Sequence, residues 1–323
     1  MLSRPATVFA LAGGLLASPA PVAAQRSPHR EMAVTFDDLP VATRMLHGDS
    51  AQRAITGALL DAIARHKVAA IGFVNEVKLA RSGMVDPRRV ALLRRWLEAG
   101  LELGNHTYSH IDLHRTSVTT YIHEIARGDS VTSLLLRERG RQPRYFRHPL
   151  LHTGRDLASR DAVDRFLAEH GYRVAPVTVD NYDYIFAAVY EHALTRGDGD
   201  GRRRIATAYL EYMEHVVAYY EQQSAALFGR EIPQVLLLHA SALNAETFDS
   251  LAGMLERRGY RFVTLDRALR DPAYQSDDRY TGPAGITWLH RWALTQGKGR
   301  TFFTGEPAVP ESIAKEAAAI GVR

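Results

Sequence analysis

The stretch Met32-Ala33-Val34-Thr35-Phe36-Asp37-Asp38-Leu39-Pro40 decides the fold. Its apolar run, Met32–Phe36, reads as a strand, and that strand ends on two adjacent acids. Working outward, short apolar runs recur at residues 68–74, 101–104, 144–147, 172–179, 234–239 and 260–264. Helical periodicity separates them at residues 51–66, 86–99, 117–139, 156–170, 204–228 and 245–258. Gly100, Gly140, Gly171 and Gly259 follow four of these helices, where a stop is expected. Strands alternating with helices predict βα units around a parallel sheet. No glycine-rich dinucleotide turn follows the first strand, so a closed or nearly closed barrel suits the pattern better than a doubly wound sheet.

The chain has 323 residues, 46% hydrophobic and 24% charged, with a formal net charge of +4. That is ordinary for a soluble globular protein. No stretch concentrates Lys or Arg with interleaved aromatics, which leaves nucleic acid unsupported as a partner. Residues 1–24 read as a secretory signal peptide: Arg4 supplies the positive region, Val8 to Leu16 the apolar run, and Val22-Ala23-Ala24 the cleavage site. The expected location is periplasmic or secreted, with no membrane span after cleavage. Cysteine is absent, which excludes thiol catalysis and thiolate metal sites. Any metal must be held by His and carboxylate.

Segment 196–204, rich in Gly, Asp and Arg, is expected to be an exposed loop. The helix after it carries an aromatic stripe that includes Tyr209, Tyr212, Tyr219 and Tyr220, which core packing explains. With no repeat or low-complexity linker, one domain spans residues 25–271, and residues 272–323 form an extension packing on it.

In a βα barrel the working groups gather at the C-terminal ends of the strands. Asp37 and Asp38 end the first strand; His106 and His110 follow the third in Gly104-Asn105-His106-Thr107-Tyr108-Ser109-His110. Arg147, His148 and Pro149 end the fourth, Asp180 and Asp183 the fifth, and His239 the sixth. Successive strand side chains face opposite sides, so one of the paired acids would meet a metal and the other the substrate. Two His and one carboxylate form an open ligand set for a divalent ion, and such an ion acidifies its water toward roughly pH 7. A nearby carboxylate would take that water's proton, and an opposing His would protonate a leaving amine. Each signal alone is weak. Their joint order, each after a strand, is not.

Thr35-Phe36-Asp37-Asp38 resembles the first motif of the polysaccharide deacetylases, the NodB-homology carbohydrate esterases. His106 to His110 is similar to that family's His-(Ser/Thr)-x-x-His motif. Phe146-Arg147-His148-Pro149, Val177 to Tyr184 and Leu236-Leu237-Leu238-His239 resemble its three looser motifs. The resemblance spans residues 32–266 and implies an α/β fold, a distorted (β/α)7 barrel. It also implies hydrolysis of N-acetyl groups on a glycan such as peptidoglycan, a chitin-like oligomer or an exopolysaccharide. Carried over, Asp37 is the base and Asp38, His106 and His110 are the metal ligands, with Zn2+ expected ahead of Co2+ or Mn2+. His239 is the acid, Arg147 orients Asp37 and holds it ionised, and Asp183 sets the tautomer of His239. The oxyanion would meet the metal and a backbone N–H near Tyr108 or Pro149.

Several positions depart from the family pattern. His148 stands where Pro is usual, Tyr184 where Trp is common, and Ala240-Ser241-Ala242 where His-Asp is expected after His239. These bear on the substrate rather than the chemistry. Tyr182 and Tyr184 are placed either on a sugar ring or in the core. His47, His114, His148 and His152 are expected at the surface or rim, and Trp288 and Trp292 share a helical face suited to packing. The alternatives are an O-acetyl esterase, a cyclic-amide hydrolase, or a silent barrel that binds glycan.

Overall fold

The computed structural model describes residues 30–322. The expected signal peptide lies outside them. Strand β1 (Arg30–Leu39) is followed by α1 (Asp49–Arg65), β2 (Ile71–Val74), the hairpin β3 (Ala80–Arg81) and β4 (Met84–Val85), and α2 (Pro87–Glu98). Then come β5 (Glu102–Asn105), α3 (Val118–Arg127), α4 (Ser130–Arg137), β6 (Tyr145–Phe146), α5 (Leu157–Glu169) and β7 (Arg173–Val174). Next are α6 (Asp183–Thr195), α7 (Gly199–Phe228), β8 (Gln234–His239), α8 (Ala242–Arg257), β9 (Tyr260–Phe262) and the short α9 (Leu265–Ala268). Two further helices, α10 (Trp288–Thr295) and α11 (Glu311–Ala319), belong to the extension.

The main sheet runs β7-β6-β5-β2-β1-β8, with β9 also on β1, and every pairing in it is parallel. β1 is the hub: it meets β9 at Arg30–Met32, β8 at Met32–Asp37 and β2 at Thr35–Leu39. The run through β7 joins the two ends of that path. Ala175 N–H donates to Phe146 O (2.8 Å), while Thr178 and Val179 N–H both donate to Val235 O (3.0 Å). The expected barrel is thus present, distorted because its closing strand switches partners halfway.

Strand β1 is buried along nearly its whole length, as its unbroken apolar run requires. Phe36 meets Trp96 edge-on at 5.7 Å and Phe248 at 5.3 Å, which ties β1 to α2 and α8. Helix starts follow local chemistry. Asp86, Ser117, Asp156 and Ser241 each accept a hydrogen bond from a first-turn N–H, and Pro87 occupies the first turn of α2.

Two expected elements differ. The single helix at 117–139 is broken, because a Cβ at Gly128 would lie 2.7 Å from the Thr107 carbonyl carbon and the Tyr108 nitrogen. The loop at 196–204 shrinks to a short break between α6 and α7. Asp198 accepts from Gly201 N–H (2.8 Å), so this capped turn starts a helix despite its glycines.

The tyrosine stripe of α7 is buried, as are Trp288, Leu289 and Trp292 of α10 and Ile313 of α11, all in one cluster with the barrel core. Trp288 N–H donates to Val177 O at 2.7 Å, and Trp292 sits edge-on to Phe228 and Tyr274. A Cβ on Gly285 would fall 1.8 Å from Leu150 O, so only glycine lets the extension approach the loop after β6 this closely.

Candidate active site

The strand ends deliver their side chains to one rim. Asp37 and Asp38 terminate β1, and at Asp38 the chain turns into the left-handed region (φ 70°). Thr107 (φ 61°) and His110 (φ 60°) do the same after β5, as do Leu150 (φ 57°) and Leu151 (φ 54°) after β6. Non-glycine residues held in this conformation cost on the order of 1 kcal/mol or more each, and they gather here because the turns aim side chains at a common centre. Gly128 serves the same end: lacking a side chain, it lets the 106–110 loop lie against the α3–α4 junction.

His106 Nε2 lies 3.9 Å from Asp38 Oδ1, and His110 Nε2 lies 3.8 Å from the same oxygen. The two imidazoles meet edge to face at 4.9 Å. His106 Nδ1 is 2.8 Å from Arg147 O; donating there fixes the tautomer and leaves Nε2 as a lone pair. Burial, with the neighbouring His110, pushes His106 well below the usual imidazole range, and burial lowers His110 too. Both are neutral at pH 7, the form a metal requires. Burial pushes the Asp38 carboxyl up, but neighbouring positive charge, Lys78 first, outweighs it and holds it well below the usual carboxylate range. Asp38 Oδ1 is buried and has no hydrogen-bond partner among the described residues. A buried, unpartnered carboxylate oxygen facing two imidazole lone pairs fits a divalent cation about 2.0–2.2 Å from each.

Asp37 is 2% exposed, with Oδ2 3.8 Å from His106 Nε2 and 3.5 Å from Arg147 Nη1. Burial dominates and raises its carboxyl to about 6, against the pull of Arg147 and His239. Arg147 pulls the carboxyl toward its ionised form, and burial outweighs that pull. At 3.5 Å the guanidinium makes no hydrogen bond, and its Nη2 donates instead to Thr35 Oγ1 (3.0 Å). A carboxylate near 6 is a better proton acceptor at neutral pH than an ordinary one.

On the adjacent strand β8, where His239 is the register partner of Asp37, His239 Nδ1 lies 2.7 Å from Asp183 Oδ1. Asp183 Oδ2 accepts from His239 N–H and from Asn244 Nδ2, both at 2.7 Å. This buried carboxylate holds the ring with Nδ1 protonated. Burial works against the charged ring, but Asp183 outweighs it and raises His239 to about 9. Asp183 does not end a strand, as expected from the sequence, but opens α6. Asp180, directly after the Val179–Leu236 bridge, is raised to about 6, chiefly by burial.

Asp38, His110 and His239 line a cavity of about 620 Å3, within the range of small-molecule sites. Tyr182 and Tyr184 also line it and are 43% and 42% exposed, which places them in the groove rather than the core. His148 is buried, its ring stacked on Tyr121, contrary to the rim position expected for it. The Tyr108 N–H, considered for the oxyanion, is already given to Glu124 O (2.9 Å).

Sequence reading missed three partners. Lys78 Nζ lies 3.1 Å from Asp38 Oδ2, Asn244 braces Asp183, and Asn75 Nδ2 donates to His106 O (2.6 Å). Lone Lys and Asn residues carry no spacing signal. Among the described residues a second trio, Asp112, His114 and His152, also brings potential ligand atoms together. Its imidazoles lie stacked, 3.9 Å apart and 6° from parallel, so their in-plane lone pairs do not converge on one ion.

Comparison with known proteins agrees with the motifs. Residues 24–175 match the family described as polysaccharide deacetylase. A chitin deacetylase of Arthroderma benhamiae is 30% identical over 166 residues, covering 51% of this chain and 37% of its own length. The chain thus spans little more than a third of that relative. A polysaccharide deacetylase from Bacillus cereus aligns at 18% identity and TM-score 0.49, over 73% of this chain and 92% of its own. A family 4 carbohydrate esterase from Streptomyces lividans, solved with acetate, aligns at 19% identity and TM-score 0.46, over 74% and 95%.

Proposed function

We propose that this chain, whose residues 24–175 match the polysaccharide deacetylase family, is a metal-dependent hydrolase that removes N-acetyl groups from a glycan. The observation that carries the reading is Asp38 Oδ1, unpartnered among the described residues and facing His106 and His110, with a buried Asp37 and the His239–Asp183 pair on adjacent strands beside it. Asp38, His106 and His110 would hold the ion, with zinc the expected occupant. When bound, the ion would acidify a water and polarise the acyl oxygen.

The protein's own groups supply the rest. Asp37 takes the proton of the attacking water, and its raised affinity for that proton suits the task at neutral pH. His239, protonated by virtue of Asp183, presents Nε2–H to the departing amine as the carbon–nitrogen bond breaks. The amine leaves with that proton, and acetate is the other product. Asn244 and Asp183 keep the imidazole from turning. Lys78 occupies Asp38 Oδ2 and so limits Asp38 to one free oxygen.

The extracellular side is the proposed workplace, reached through the signal peptide read at 1–24. Acetate release from N-acetylglucosamine oligomers is the test, run on metal-stripped and zinc-restored protein. Turnover that survives complete stripping would remove the basis for this reading.

A further inference from the structure

A second cavity, of about 160 Å3, adjoins the first and shares Asp180, Asn181, Tyr182 and Gly285 with it. An enclosed cavity of about 150 Å3 takes a benzene ring, and this one, being open to its neighbour, leaves a larger ring's substituents room to project. Its lining also includes Tyr212 and Tyr220 of helix α7 and His290 and Glu306 of the extension. Neither contributor belongs to the segment that matches the family.

The lining is chemically one-sided. Asp180 and Glu306 are its acids, and it includes no Lys or Arg among the described residues. The remaining titratable ring is uncharged: burial lowers His290 to about 4, and its Nε2 lies 3.0 Å from Tyr219 Oη. The Tyr220 hydroxyl donates to Glu306 Oε1 at 3.1 Å and so orients that carboxylate at the cavity mouth. Two acids on aromatic walls favour a cation, through charge and through the ring faces. An acetamido group would meet neither preference.

Resting on the deacetylase reading, we propose that this cavity is a sugar subsite built by the extension. It takes the ring next to the one being deacetylated and favours a neighbour that carries a free, protonated amine. The protein would then act best on chains from which some acetyl groups have already been removed, following a reaction that exposes the first amines.

The probes are the glucosamine disaccharide and its diacetylated counterpart, titrated calorimetrically into the full protein without following turnover. Two variants accompany the parent: Glu306→Gln, at an exposed position, and Ala284→Trp, which fills the mouth from an exposed loop. The parent should bind the diamine about tenfold more tightly than the diacetyl form. Glu306→Gln should erase that difference, and Ala284→Trp should weaken both ligands at least tenfold. Equal affinity for the two sugars in the parent, or unchanged binding in both variants, overturns the subsite. Because binding is read without catalysis, a protein that binds as described yet releases no acetate overturns the deacetylase reading, and with it the place beside a reacting ring, while the cavity's preference for an amino sugar stands.

Discussion

The Lys78 ammonium lies 3.1 Å from Asp38 Oδ2 and 3.1 Å from Asp38 O, while Asp38 Oδ1 has no partner among the described residues. One cation therefore fixes which carboxylate oxygen faces His106 and His110. Groups that orient a metal ligand typically change affinity by about 10–100-fold when removed. Lys78→Met is expected to weaken zinc binding by roughly tenfold, read by competition with a chromogenic chelator, and Lys78→Arg should recover part of the loss. Unchanged affinity in Lys78→Met would mean that Asp38 needs no such partner.

Asp37 and Asp38 are neighbours in sequence but separable in effect. Asp38→Asn should abolish stoichiometric metal uptake, because the amide carries no charge to offset the ion. Asp37→Asn should leave metal content intact and lower kcat by about 10²–10⁴, the usual contribution of a general base. Metal analysis beside acetate release separates the two. If Asp37→Asn turned over as fast as the parent, the base would have to be sought elsewhere, with Asp180 the next carboxylate on the rim.

The extension is anchored through Trp292, 1% exposed and wedged against Phe228 and Tyr274. Truncating a buried tryptophan of this kind costs about 3–5 kcal/mol. Trp292→Ala is expected to lower the midpoint of one cooperative urea transition for the whole chain. A separate early transition, with the barrel's midpoint unmoved, would show that the extension folds independently.

Much of the rim was legible because each strand end is marked twice, by an apolar run and by the ionisable residue that terminates it. His106 and His110 carry weight through their place after a strand, in order with the acids that end β1, and the β1-β2-β5 pairing puts the two strand ends on one rim. The rest depended on contacts far apart in sequence. Residues 183–195 form a helix that the apolar content of the region did not separate from the preceding strand, so Asp183 was read as a strand end. Asp198-Gly199-Asp200-Gly201 looks like a loop by composition, yet its first residue caps a 30-residue helix. Gly128 broke a helix for a reason found only in the Thr107–Tyr108 backbone packed against it.

The pairing of His239 with Asp183 makes the alkaline limit of activity a test of the proposed acid. The folded value of about 9 lies above the ordinary 6.5, so the ring is protonated through neutral pH and loses its proton as pH rises through 9. A mechanism that needs Nε2–H should therefore fall off near pH 9 in kcat/KM. The same shift stabilises the fold fully below about 6.5, and that stabilisation disappears as pH rises through about 9. In Asp183→Asn the largest charge raising the ring is gone, and only the weaker pulls of Asp38 and Asp37 remain against burial. One side of the new amide would also confront donors, since Asp183 accepts from His239 N–H and Asn244 Nδ2 through one oxygen and faces Nδ1 with the other. The alkaline limb should move down by about two pH units or more, with the residual rate at pH 6 serving as the check that the variant is folded. An Asp183→Asn profile that still breaks near 9 would assign the acid to another group.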